Sequence, residues 1–280
     1  MRKSTLTLAG IVLGTVAASS VYAQSKPTEI TIATEGAYEP WNFTGSDGKL
    51  AGFEIDLAND LCARMKIKCT IVAQDWDGLI PSLNAKKFDA IMASMIVTEK
   101  RLAVISFSEP YAPTAAALMV EKAGLLANLP GTGTTINLAS DKATVEQELQ
   151  PVRDALKGKT VGAQVSTANV AFLDAYFKDV VDPREYKTVE QHDLDLQAGR
   201  IDAVVAQKTS LTATLSKEDF KDYAIAGPTF TGGVFGQGIA AGLRKEDAEL
   251  KVMFDEAISA AKADGTINKL SQKWMKIGLE

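Results

Sequence analysis

Glu35, Tyr38, Trp76 and Arg101 could recognise a charged solute together. The first three stand just past runs that read as strands, and Arg101 opens a helical stretch. Tyr38 and Trp76 can supply the aromatic faces that suit a flat or cationic group. The forked guanidinium of Arg101 can hold a carboxylate through two parallel hydrogen bonds. Ala93-Ser94-Met95-Ile96 follows a further apolar run, Ser166-Thr167-Ala168-Asn169 follows another, and Gln207 ends a third. Backbone N–H groups at Thr167 and Ala168, at a helix start, would assist an anion. Taken singly, Trp76 is rim packing and Arg101 a surface ion pair. Taken together, at the ends of strands, they describe a binding site.

Covalent chemistry is poorly supplied. His192 is the single histidine, in Gln191-His192-Asp193 just ahead of a helical run. The plainer reading of it is a surface residue at a helix start, although a histidine can serve as a base near neutrality. There is no nucleophile elbow around a Ser or Cys. The glycines of Thr231-Gly232-Gly233-Val234-Phe235-Gly236 follow neither the dinucleotide nor the phosphate-loop pattern and read as turns. Two cysteines and one histidine are too few soft ligands for zinc, so neither a metal nor a cofactor is expected.

The elements that must position these residues form an open α/β arrangement. Residues 29–34, 70–73 and 88–93 read as strands; 53–65 and 77–85 read as helices, with Pro81 in a first turn. Strand–helix alternation implies a sheet with right-handed crossovers. A second block follows, with helices at 145–156, 168–177 and 193–198 and strands at 160–163 and 201–206. Helices at 247–263 and 267–276 close the chain, separated by Gly265. Two such blocks with a late return suggest two lobes, one from 26–113 plus 231–280 and one from 114–230. Ligands in such sheets sit at the carboxyl ends of the strands, so the cleft between lobes is the expected site. Residues 124–143, rich in Gly, Thr and Asn, read as an exposed loop or insertion rather than core.

Composition sets the setting. The 280 residues are 46% apolar and 23% charged, globular proportions, with a net charge of −5 and no basic stretch for nucleic acid. Residues 1–23 read as a cleaved signal peptide: Arg2 and Lys3, a diluted apolar run, then Val21-Tyr22-Ala23. Removing those two cations takes the charge from −5 to −7. Cys62 and Cys69, close in sequence and in an oxidising compartment, read as a disulfide contributing about 2.5 kcal/mol in the chain-entropy picture.

At these residues the chain resembles the periplasmic solute-binding proteins of ABC importers for polar amino acids. The resemblance rests on Gly52-Phe53-Glu54-Ile55-Asp56-Leu57, Asp77-Gly78-Leu79-Ile80-Pro81-Ser82-Leu83, Phe88-Asp89-Ala90-Ile91 and Thr98-x-x-Arg101. Phe107-Ser108-x-Pro110-Tyr111, Ala198-Gly199-Arg200-Ile201-Asp202-Ala203 and Gly242-Leu243-Arg244-Lys245 extend it across essentially the whole mature chain. The Cys62–Cys69 spacing is similar to the disulfide of the lysine/arginine/ornithine and histidine receptors. The resemblance implies a type II two-lobed periplasmic-binding-protein fold whose hinged lobes close on the ligand. It implies that Tyr38 and Trp76 sandwich the solute side chain, that Glu35 faces its cationic end, and that Arg101 holds its α-carboxylate with N–H groups near Ile96 and Ala168. Ser94 would offer its carbonyl to the ligand amine. It further implies a monomer that hands its solute to a membrane permease.

Two positions depart from receptors of free amino acids. Gln207 replaces an Asp that pairs with the α-ammonium, and Ile96 replaces a Ser whose hydroxyl serves the same amine. Octopine- and nopaline-binding receptors look closer, through Ala33-Thr34-Glu35-Gly36-x-Tyr38, Gln164, Thr231-Gly232-Gly233-x-Phe235-Gly236 and a long insertion before Gly158. Opines are arginine-like molecules whose α-nitrogen carries a second carboxylate-bearing group, which a neutral Gln207 would tolerate and an Asp would repel. The expectation is an opine receptor, with a receptor for cationic amino acids as the alternative. A dehydratase of small carboxylic acids on the same fold would need a general acid or base, and Glu35 is the one obvious candidate. An extracellular sensory module would need a separate signalling partner.

Overall fold

The computed structural model describes residues 26–278, so the signal peptide read at 1–23 lies outside the described residues. Two sheets organise the chain. The first runs in the order Lys68–Ala73, Glu29–Thr34, Ala90–Ile91, Gly242–Leu243, Ser106–Phe107. Its first three strands are parallel, with Glu29 opposite Lys68 and Ile32 opposite Ala90. Gly242–Leu243 then lies antiparallel to both its neighbours, so the end of the chain returns into the sheet that its beginning started.

The second sheet takes Asp182–Tyr186, Thr160–Gln164, Ala203–Gln207, Ala116–Glu121, Tyr223–Thr231 and Thr135–Asn137, in that order. Its central strands, AVVAQ and AALMV within Ala116–Glu121, are buried at every position. Continuous apolar runs of this kind are what a strand covered on both faces requires. These two sheets are the cores of the two lobes of a type II periplasmic-binding-protein fold.

The helix Phe53–Met65 shows why the elements form where they do. Phe53, Leu57, Leu61 and Met65 recur at helical spacing and all are buried. The helix packs against the helices Ala248–Ala263 and Thr266–Met275. The helix ends at Lys66 in the left-handed region (φ 57°), and the chain turns into the strand that carries Cys69. Cys62 and Cys69 are disulfide-bonded with their Cα atoms 6.2 Å apart, within the span such a bond reaches.

Two sequence-based expectations are corrected. The strand expected over 88–93 is regular only over Ala90–Ile91: the Met92 N–H still donates to the Ala33 carbonyl at 2.9 Å, and the chain then bends at Ala93–Ser94 to build the cleft loop. Residues 124–143 do supply core: Leu126, Leu129, Ile136 and Leu138 are buried, and Thr135–Asn137 adds a parallel edge to Tyr223–Thr231. Their Gly- and Thr-rich composition hides these four inward-pointing apolar residues, whereas Leu125 beside them is exposed.

Candidate functional site

Each lobe brings loops from the carboxyl ends of its strands to one cleft. From the first lobe, Glu35 directly follows Glu29–Thr34, and Trp76 opens a short 3-10 turn after Lys68–Ala73. Ser94 sits beyond Ala90–Ile91 with φ 51°, and Arg101 lies in the short helix Glu99–Leu102 behind its Thr98 cap. From the second lobe, Gln164 ends one strand and Gln207 another. Thr167 caps the helix Ala168–Tyr176, its hydroxyl donating to the Gln164 carbonyl at 2.7 Å.

Twelve of the residues singled out from the sequence line a single cavity: Glu35, Tyr38, Trp76, Ala93, Ser94, Ile96, Arg101, Gln164, Thr167, Ala168, Asn169 and Gln207. Ser166 and Met95 are not among them. Beyond the left-handed Ser94, the Met95 side chain is buried in an apolar cluster with Leu79, Ile105 and Phe107. His192 corrects a second expectation. It is 0% exposed, one turn inside the helix Val189–Gln197, with Nδ1 3.0 Å from Asp193 and its ring edge-on to Tyr186. It takes no part in the cleft. The helix begins earlier than its apolar pattern suggests because Thr188 caps it, accepting from the Gln191 N–H.

The two lobes touch across the cleft. Trp76 Nε1 donates to the Val165 carbonyl at 3.0 Å, and Trp41 Nε1 donates to the Thr209 hydroxyl at 2.9 Å. Lys217 meets Glu39 at 2.9 Å on the rim. Inside, Gln164 Nε2 donates to Glu35 at 2.6 Å and the Ser94 hydroxyl donates to the Gln207 side-chain oxygen at 3.1 Å. The cavity left between these groups is about 20 Å³, room for about one water. A solute must therefore part the lobes to enter. The larger hollow of about 420 Å³, between Lys142–Ala155 and Ala168–Tyr176, holds none of these residues, so size alone does not mark the site.

The charges of the cleft are unmatched. Arg101 is 8% exposed, and burial lowers its guanidinium to about 10. It donates to the carbonyls of Ile96 at 2.9 Å and Ser166 at 3.2 Å and lies 5.1 Å from the Trp76 ring centre. No carboxylate among the described residues contributes to its state. Glu35, also 8% exposed, is raised to about 7, chiefly by burial; the Gln164 hydrogen bond lowers it, and Glu54 and Asp75 push it up. Leaving a buried charge unpaired is expensive. The cavity therefore favours a molecule with an anionic group for Arg101 and a cationic group for Glu35.

Sequence reasoning missed the support behind these loops. Glu54 is 0% exposed and carries hydrogen bonds from the Asn42 side chain and the Ser94 N–H. The signal was available: an acidic residue flanked by Phe53 and Ile55 at a helix start whose neighbours are all core.

Comparison with known proteins agrees with this geometry. Residues 30–277 match the model of the bacterial extracellular solute-binding proteins, family 3. The chain is 50% identical to the octopine-binding periplasmic protein of Rhizobium meliloti, over 94% of each chain. It is 35% identical to the lysine/arginine/ornithine-binding periplasmic protein of Escherichia coli K12, over 98% of this chain and 97% of that one. Among solved structures, an ancestral arginine-binding protein bound to arginine superposes with a TM-score of 0.74 at 27% identity, covering 89% of this chain and 99% of that one. With a matching sequence over nearly its whole described length and two lobes closing on a charged cleft, the chain belongs to the bacterial extracellular solute-binding proteins of family 3.

Proposed function

We propose that this protein captures an arginine-derived opine of the octopine or nopaline type in the periplasm and delivers it to an ABC permease. The observation that carries the reading is the pair of buried, mutually unpaired charges, Arg101 and Glu35, facing one closed cavity. Arg101 takes the α-carboxylate with N–H groups near Ile96 and Ala168, and Glu35 takes the guanidinium, with Tyr38 and Trp76 on the faces of the side chain. Gln207 supports the opine over a free amino acid. Its amide is neutral and donates toward the Ser94 carbonyl, so it leaves a second carboxylate unrepelled where an Asp would oppose it. The similarity to an octopine-binding relative supports the same choice.

The lobes, 26–113 with 231–280 and 114–230, act as two hinged bodies in a monomer. The solute favours the closed form by its greater affinity for that state. The second reading, a receptor for cationic amino acids, is supported by the lysine/arginine/ornithine-binding relative. Calorimetric titration of refolded, ligand-stripped mature protein with octopine, nopaline and arginine separates the two. Tighter opine binding supports the proposal. Tighter arginine binding means another group neutralises the α-ammonium, and the cationic amino-acid reading replaces it.

A further inference from the structure

We infer that Glu54 is a positioning residue, which holds the Glu35 loop and the Ser94 loop in register for the solute. The inference rests on the cleft assignment above but concerns a side chain that does not line the cleft.

Glu54 belongs to the first turn of Phe53–Met65 and is fully buried. The turn is pressed against the loop before it: a Cβ on Gly52 (φ 124°) would come within 2.4 Å of the Trp41 carbonyl oxygen, so this close approach needs glycine. Three donors converge on the Glu54 carboxylate. Asn42 Nδ2 reaches one oxygen at 2.6 Å, and the Ser94 N–H reaches the other at 2.6 Å, together with the Tyr111 hydroxyl. The relay continues outward on both sides. The Asn42 side-chain oxygen accepts the Gly36 N–H at 2.9 Å, the peptide that follows Glu35. Ser94, held in the left-handed region, directs its hydroxyl to Gln207 of the other lobe at 3.1 Å. One carboxylate thus anchors two cleft loops that are far apart in sequence.

A satisfied structural carboxylate is the plainer role, and donor counting separates the two. Glutamine at position 54 has one acceptor for three donors. If its oxygen faces Ser94 and Tyr111, its amide opposes the Asn42 amide, donor against donor. If Asn42 then flips, its own amide opposes the Gly36 N–H. Either way one loop loses its anchor. Adding Asn42→Asp repairs the pattern, because Asp accepts from both Gly36 and the new amide.

The test compares wild type, E54Q and N42D/E54Q by calorimetry with octopine and arginine, alongside thermal unfolding of the solute-free proteins. E54Q should weaken the better solute at least about tenfold, and N42D/E54Q should return to within about threefold of wild type. A purely structural role lowers the unfolding midpoint and leaves affinity unchanged; that result overturns the inference. If E54Q does not fold, the double variant decides. It should fold and bind, and a double variant that fails to fold or binds about tenfold more weakly also overturns it. E35Q is the control for the cleft itself: if it leaves affinity unchanged, the cleft assignment fails. In that case, or if neither solute binds wild type, hydrogen exchange at the Gly36 and Ser94 amides decides. Exchange should accelerate at one or both in E54Q and be restored in the double variant, and unchanged exchange overturns the inference.

Discussion

Solute binding should depend steeply on pH through one side chain, Glu35. Its carboxyl is raised from 4.5 to about 7, first by burial, with Gln164 opposing the rise and Glu54 and Asp75 adding to it. A guanidinium pairs with the ionised form, so binding pulls the group back down and expels a proton wherever the solute-free site holds one. With a value of about 7, roughly a tenth of the sites are ionised at pH 6 and roughly nine-tenths at pH 8. Affinity for arginine or octopine should therefore fall about tenfold from pH 8 to pH 6, both guanidinium groups remaining charged throughout. Titration in two buffers of different ionisation heat should count close to one proton released per solute at pH 6 and almost none at pH 8. Glu54 is also raised to about 7, by burial against hydrogen bonds from Tyr111, Ser94 and Asn42, so the Glu35→Gln variant is needed to isolate the effect. That variant should bind weakly and with little pH dependence. Affinity in wild type that varies less than about twofold, with no proton release, would refute the placement of Glu35 against the cation.

Other perturbations probe the remaining parts. The same raised values make the solute-free protein lose stability as pH rises from 4.5 to about 7, since the folded state holds protons there that the unfolded chain has released; denaturant midpoints at pH 5 and pH 8 should differ in that direction. Gln207→Asp should raise arginine affinity relative to octopine by about tenfold by restoring a counter-ion for the free ammonium, and an unchanged ratio by calorimetry counts against the opine reading. Gly236→Ala places a Cβ 1.9 Å from the Val97 carbonyl oxygen at φ +64°; a loss of about 3 kcal/mol in urea unfolding is expected. Reducing Cys62–Cys69 should cost about 2.5 kcal/mol, read as a lower midpoint in the same experiment with native spectra retained.

Much of this molecule is legible from local pattern, and the boundary follows physical reach. The helix Phe53–Met65 and the strand Glu29–Thr34 carry their periods within their own residues, and the observed bounds match those read from the sequence. The cleft residues were recognisable because a parallel strand ends where its loop must begin, whatever the rest of the chain does. Met95 misleads because consecutive loop residues need not face the same way: the chain turns at the left-handed Ser94, and the next side chain enters the apolar cluster behind the cleft. His192 misleads because one cap, Thr188, shifts a helix start and thereby turns a surface position into a buried one. The cross-lobe pairs, Gln164 with Glu35 and Ser94 with Gln207, join residues more than a hundred positions apart, and nothing local specifies them. Glu54 is the same case in one lobe: its partners at Ser94 and Tyr111 lie far down the chain.

The return of Gly242–Leu243 into the first sheet also sets a timetable for synthesis. Every strand of the second sheet falls between Ala116 and Thr231, so that lobe can complete its hydrogen bonding from one continuous stretch. The first sheet has a gap between Ala90–Ile91 and Ser106–Phe107 until residue 243 arrives. A chain emerging from its N-terminus therefore starts the amino-terminal lobe first and finishes it last. The half made earliest stays open longest.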